Sequence, residues 1–101
     1  MELNCKTVER ELTVSLSGEL DHHGAREAIR TIERAVECNL PRRMVLDLSR
    51  VSFMDSSGIA VLLRGYRRVT ETGGTFRVVG VPDQARRVLD AAGVGKLIDI
   101  S

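Results

Sequence analysis

The sequence has few of the residues on which several protein classes depend. Tryptophan is absent and aromatic residues make up only 3% of the chain, so a core must be built from Leu, Val, Ile and Ala. There are two cysteines, Cys5 and Cys38, which are too few and too far apart for a metal or redox motif. Because Cys5 falls in an alternating strand pattern, we expect it to be a small buried side chain.

The chain also lacks a dominant charge and a long apolar run. Its 15 basic and 14 acidic residues give a formal net charge of +1, whereas nucleic-acid-binding proteins usually carry a strong basic excess. No segment approaches the length of a membrane-spanning helix, and residues 1–4 do not resemble a secretory leader. The sequence therefore predicts a cytoplasmic protein that binds neither nucleic acid nor a membrane directly.

The hydrophobic pattern predicts one domain that covers residues 1–101. Apolar residues alternate with polar ones over 3–7 and 12–16, which indicates a β-hairpin. Apolar stripes with helical spacing run from Ala25 to Val36, from Ile59 to Val69 with Leu63 on the buried side, and from Ala85 to Ala92. Further strands are predicted over 44–48 and 75–79, with loops over 18–24 and 49–55 and a turn or edge strand after Gly93.

The order of these elements is β-β-α-β-α-β-α. Strands that are joined through helices run parallel, and right-handed crossovers in one direction place those helices on the same face of the sheet. The predicted fold class is therefore α/β: a single domain with a small mixed sheet of four to five strands and helices mainly on one face.

Two polar motifs follow neighbouring parallel strands of this sheet, at the edge where α/β folds usually place their sites. Asp21-His22-His23 follows the second strand, and Asp55-Ser56-Ser57-Gly58 follows the third. A serine in the first turn of a helix lies beside unpaired N–H groups and a partial positive charge, so it could accept a phosphate without disrupting its own fold. Asp55, Ser56 and Ser57 also all suit the N-cap position, which leaves a purely capping role open.

The motifs do not favour catalysis by the chain itself. A Gly-x-Ser-x-Gly nucleophile turn fails for both serines, because Met54 lies two residues before Ser56 and Ile59 lies two residues after Ser57. Adjacent histidines rarely reach one metal ion, and no further ligand cluster follows them. A receiver domain phosphorylated on aspartate is disfavoured by the opening hairpin and by the small number of βα units. We predict no catalytic residue, metal site or cofactor, and the absence of a Gly-rich phosphate loop makes any kinase a partner protein.

Three motifs together resemble a known family: Gly18-Glu19-Leu20-Asp21-His22-His23, Phe53-Met54-Asp55-Ser56-Ser57-Gly58, and Gly73-Gly74 before a strand. They are similar to the anti-sigma factor antagonists of the STAS domain family, most closely those directed at anti-sigma F factors of sporulating bacteria. In that family the unmodified antagonist binds an anti-sigma factor that is also a serine kinase, and the sigma factor is released.

The resemblance also implies which residues act. The kinase phosphorylates the second serine of the motif, here Ser57, which ends binding, and a serine phosphatase restores the antagonist. The partner-binding surface would comprise the two motifs at the sheet edge, namely Asp21, His22, Asp55, Ser56, Ser57 and Gly58. A STAS module of a stress-response system, or of a small-molecule- or nucleotide-sensing system, is the alternative.

Overall fold

A computed structural model describes residues 1–101 as five strands, three α-helices and one 3-10 turn. In chain order they are β1 (Glu2–Val8), β2 (Glu11–Leu20), α1 (His22–Asn39), β3 (Arg43–Met54), α2 (Ser57–Glu71), β4 (Thr75–Val79), α3 (Asp83–Ala92), the 3-10 turn (Val94–Lys96) and β5 (Asp99–Ile100). The predicted order is confirmed, and the tail supplies both a turn and an edge strand. None of the helices has the length and apolar character needed to cross a membrane.

The strands form one sheet in the order β1-β2-β3-β4-β5. Strand β1 is antiparallel to β2, and all other neighbours are parallel. The hairpin turn consists of Glu9 and Arg10, which both have positive φ (49° and 67°), as a tight two-residue hairpin requires. The sheet is therefore mixed and five-stranded, with β3 at its centre.

All three helices pack on one face of this sheet, as predicted. On that face, register pairing places Leu12, Met44 and Phe76 side by side on β2, β3 and β4. All three side chains are buried in a single core cluster, to which each helix also contributes; examples from the helices are Ile32, Leu62 and Leu89. The opposite face carries polar side chains, among them Thr13, Ser15 and Asp47. One apolar face per strand is thus enough to form the core.

The loops predicted over 18–24 and 49–55 are wrong. Strand β2 continues to Leu20 and helix α1 begins at His22, while β3 continues to Met54. The two strands remain paired as far as Leu20 and Met54, but β3 contains an extra residue between the partners of Ser15 and Ser17 and another between those of Gly18 and Glu19. In β3 these β-bulges shift the buried positions to Leu48, Val51 and Met54, so the alternation is lost although the strand continues. Strand β2 keeps its alternation up to Leu20, but Gly18 stands where an apolar side chain would continue the pattern.

Two predicted core positions are also wrong. Cys5 is exposed; its register partner Val14 is buried in the core, but β1 is an edge strand in which only Leu3 is half-buried. Leu63 is 38% exposed, whereas Val61 is fully buried. The buried side of α2 is shifted because Gly65 lies against the ring of Phe76, where a Cβ would approach Cε1 to 2.9 Å.

Candidate functional site

The two polar motifs meet at one edge of the sheet because β2 and β3 end in register. Leu20 pairs with Met54, and the residue after each is an aspartate that precedes a helix. A long backbone hydrogen bond of 3.4 Å, from Asp55 N to Leu20 O, joins the two chain segments there. Asp21 and Asp55 therefore occupy equivalent positions on adjacent strands, which brings the predicted site residues together.

Asp21 is the N-cap of α1. Its backbone is extended, and its Oδ1 accepts a hydrogen bond of 2.9 Å from Gly24 N. This hydrogen bond lowers the pKa of the Asp21 carboxyl below its usual value, and the positive charge of His23 acts in the same direction. His22 is the first residue of α1 and is exposed. The histidine pair thus begins helix α1 and does not lie in the loop predicted over 18–24.

The lowered pKa of Asp21 predicts a pH-dependent contribution to stability. Replacing Asp21 by Asn keeps a side-chain oxygen for capping but removes the charge. A carboxylate whose pKa is lower in the folded chain stabilises the fold above its unfolded pKa of about 4, and this contribution is lost as the pH falls through the folded pKa.

We therefore expect the wild-type chain to be more stable than Asp21→Asn at pH 7, and the difference to be smaller at pH 3, below the ordinary aspartate pKa of about 4. Urea unfolding of both proteins at each pH measures this. A stability difference that is the same at both pH values would contradict the assignment of the charge effect to this carboxylate.

The start of α2 is capped by Asp55 rather than by a serine. Its Oδ1 accepts a 2.8 Å hydrogen bond from Ser57 N, and its carbonyl oxygen accepts one of 3.0 Å from Gly58 N. Ser56 lies at the N-cap position with helical backbone angles, and its side chain makes no capping hydrogen bond. Ser56 is exposed and Ser57, the first helical residue, is half-buried. The capping role that the sequence left open belongs to Asp55, and neither serine hydroxyl is needed for it.

Gly58 brings α2 into direct contact with the end of β3. A Cβ at this position would lie 2.7 Å from Cγ of Met54 and 2.9 Å from its Cε. Both residues are buried. The first turn of α2 is therefore seated on the Met54 side chain, and a larger residue than glycine would displace it.

Sequence reasoning missed Gln84, which lies in the first turn of α3. Its Oε1 accepts a hydrogen bond from Met54 N and its Nε2 donates one to Met54 O, both at 2.8 Å. Gln84 is the only glutamine of the chain, but spacing along α3 does not reveal that its amide reaches β3. Next to this contact, an open and mainly apolar groove of about 610 Å³ extends from the start of α2 along α3; it is lined by Ser56, Ile59, Gln84, Arg87, Val88, Ala91 and Ala92.

The STAS domain family model matches residues 2–101, almost the entire chain. The chain belongs to the STAS family. Among its relatives is an anti-sigma F factor antagonist of Paenibacillus polymyxa, 37% identical over 89 residues that cover 88% of this chain and 76% of the relative. An anti-sigma-B factor antagonist of Bacillus subtilis is 27% identical over 101 residues, which cover 100% and 91% of the two chains.

The solved structures agree with this family. Unphosphorylated SpoIIAA, an anti-sigma factor antagonist, is 26% identical and superimposes with a TM-score of 0.83, covering 99% of this STAS domain and 88% of SpoIIAA. The phosphorylated form of SpoIIAA, described as a Bacillus cell fate determinant, gives a TM-score of 0.74 over 99% and 91% of the two chains. The predicted family and fold are thus confirmed. The roles of the individual site residues stay predictions.

Proposed function

We propose that this STAS domain is an anti-sigma factor antagonist that controls sporulation transcription by partner switching. In its unmodified form it binds an anti-sigma factor that is also a serine kinase, and the sigma factor is released. The observation that carries the proposal is the edge at which β2 and β3 end in register, because it joins Asp21 to the segment Asp55–Gly58 on one surface. The names of the relatives support the same function.

Phosphorylation of Ser57 by the bound kinase would end the association, and a serine phosphatase would restore it. Asp55 caps α2 through Ser57 N, so the Ser57 hydroxyl has no part in holding the helix start. That a relative, SpoIIAA, has both an unphosphorylated and a phosphorylated form supports a phosphate switch. The chain itself needs to contribute only an acceptor hydroxyl and a docking surface, and we assign it no catalytic residue.

Replacing Ser57 by Ala tests this assignment. We expect Ser57→Ala to be captured by the anti-sigma factor as well as the wild-type chain, because only a hydroxyl is removed, and to accept no phosphate from ATP. Pull-down with the kinase and ATP, followed by mass spectrometry of the peptide that contains residues 53–64, measures both properties.

Ser56→Ala is the matched control, because it removes the same group from the exposed neighbour. It should still be labelled to about one phosphate per chain. Stoichiometric labelling of Ser57→Ala together with loss of label in Ser56→Ala would move the phosphorylation site to Ser56.

The match to the anti-sigma-B factor antagonist over 100% of this chain favours a second candidate, an antagonist in a stress-response system. The two candidates share the fold and the motif and differ only in the partner. Competition between an anti-sigma F factor and an anti-sigma-B factor for the immobilised chain distinguishes them, since the cognate factor should displace the other.

A further inference from the structure

Strand β3 extends well beyond its neighbour β4. Pairing between them runs from Arg43 with Thr75 to Asp47 with Val79, where β4 ends, whereas β3 continues to Met54. Residues 48–54 therefore have no strand partner on the β4 side. Backbone N–H and C=O groups that are removed from water need a hydrogen-bond partner, so another group must take the place of the missing strand.

At Met54 this partner is the side chain of Gln84. One carboxamide accepts from Met54 N and donates to Met54 O, which is the pair of hydrogen bonds that an adjacent strand would supply. On the other side, β2 remains paired with β3 up to Leu20 and Met54, and a backbone hydrogen bond of 3.4 Å from Asp55 N to Leu20 O follows. The end of β3 is thus held by β2 on one side and by Gln84 of α3 on the other.

The position of Met54 determines that of the serines. Its fully buried side chain fills the space that a Cβ of Gly58 would need, so the first turn of α2 rests directly on it. The two residues between Met54 and Ser57 are fixed in turn by the Asp55 carboxylate, which accepts from Ser57 N. A continuous set of contacts therefore leads from α3 through Gln84 and Met54 to Ser57.

We infer that Gln84 is a positioning residue for phosphorylation of Ser57, an inference that rests on the proposed function. In that reaction a bond forms between Ser57 Oγ and the γ-phosphorus of ATP, the bond from γ-phosphorus to the bridging oxygen breaks, ADP leaves, and the hydroxyl proton passes to a base of the kinase. Such a transfer needs the acceptor oxygen in line with the leaving group. Gln84 keeps Ser57 in the orientation that permits this, without touching the reacting atoms.

The first test removes the two hydrogen bonds between Gln84 and Met54 in the isolated chain. We expect Gln84→Ala to raise the hydrogen-exchange rate of the Met54 amide at least about tenfold by NMR, because the amide loses its acceptor. Asp90→Asn is the control, since it changes a polar side chain at an exposed position of the same helix. It should leave the exchange rate of the Met54 amide unchanged. Unaltered exchange at Met54 in Gln84→Ala would overturn the inference and leave the proposed function intact.

The second test measures phosphorylation kinetics with the anti-sigma kinase. For Gln84→Ala we expect kcat to fall about tenfold with KM changed less than about twofold, because misplacing an acceptor slows transfer rather than docking. An unchanged kcat, or a rise confined to KM, would overturn the positioning role. If the wild-type chain accepts no phosphate, the proposed function fails, while the exchange experiment still decides whether Gln84 holds Met54.

The isosteric variant Gln84→Glu covers the case in which Gln84→Ala fails to fold. Its carboxylate can accept from Met54 N but cannot donate to Met54 O, whereas the protonated carboxyl can do both. In the ionised form the second carboxylate oxygen would face Met54 O, and their repulsion should displace the side chain from both backbone groups. The protection of the Met54 amide relative to wild type should therefore be low at pH 7 and recover at about pH 4, near the pKa of a glutamate. Protection that does not change with pH would overturn the inference, because a side chain that acts only through packing would not depend on the protonation of its carboxyl group.

Discussion

Phosphorylation of Ser57 is expected to weaken binding of the anti-sigma factor at least about thirtyfold. A phosphoserine carries about −1.5 to −2 charges at neutral pH. The nearby helix start cannot fully compensate this charge, because Ser57 N and Gly58 N are already engaged by Asp55. The Asp55 carboxylate also repels the phosphate, so the added charge is directed outward, towards the partner.

At a closely packed interface this group adds bulk, a desolvation cost and repulsion from any acidic side chain of the partner. Losing one or two contacts of about 2–3 kcal/mol accounts for the expected weakening. The fold itself should hardly change, since Ser57 is only half-buried and lies outside the core cluster. Amide shifts on phosphorylation should therefore be confined to the starts of α1 and α2 and the nearby turn of α3.

Isothermal titration of the anti-sigma factor with the unmodified chain, the phosphorylated chain and Ser57→Asp measures the effect. Ser57→Asp should bind weakly, although less weakly than phosphoserine, because it carries about one charge. Ser52→Asp is the control: it introduces the same charge at an exposed serine of β3 and should bind normally. Equal dissociation constants before and after phosphorylation would exclude the switch.

Replacement of Gly24 by Ala is expected to give the largest loss of stability at this edge, about 2 kcal/mol. Gly24 is buried in the first turn of α1, and an added Cβ would lie well inside contact distance of the carbonyl oxygen of Glu19. This neighbour is backbone of β2, so it cannot rotate away as a flexible side chain would. Overpacking of this kind costs about 1–3 kcal/mol.

Two further contributions to the free energy of unfolding affect the expected loss of stability in Gly24→Ala. Shifting the helix start would also break the hydrogen bond from Gly24 N to Asp21, a cap worth about 1 kcal/mol. Alanine returns about 1 kcal/mol through its higher helix propensity, so the loss of about 2 kcal/mol remains. For a domain of this size the Tm should fall by about 10 °C.

Thermal unfolding followed by circular dichroism measures this change. Gly95→Ala is the matched control, because a Cβ there meets no atom within 4 Å; its effect should stay within about 0.5 kcal/mol. A Gly24→Ala protein as stable as Gly95→Ala would contradict the close approach of α1 to the end of β2.

Regular elements with one clean apolar face were predictable from the sequence. The stripes of α1 and α3 follow the 3.6-residue period, and β4 was assigned at Thr75–Val79, where the structure places it. The end of β3 was not predictable, because its two bulges shift the alternation while pairing with β2 continues, and in β2 Gly18 interrupts the apolar pattern before the strand ends. Pairing between strands is non-local, so no window of the sequence contains it.

The candidate functional site was also predictable only in part from the sequence. Chain order alone placed Asp21 and Ser57 at one sheet edge, because residues that follow adjacent parallel strands emerge together. It could not decide which of Asp55, Ser56 and Ser57 caps α2, since all three side chains can accept a hydrogen bond from a nearby N–H. The backbone geometry decides it, by bringing the Asp55 carboxylate within 2.8 Å of Ser57 N.

The order of the elements and the two motifs at the sheet edge could be read from the chain alone, because hydrophobic periods and local turn chemistry are properties of neighbouring residues; the family followed from the resemblance of the motifs. Folding of the whole chain was needed to show that β3 extends beyond β4 and that Gln84, thirty residues further along the chain, holds Met54 in place of a strand. A contact between residues so far apart in sequence forms only where β3 extends beyond β4 and α3 packs against it. Both features depend on the packing of the whole chain.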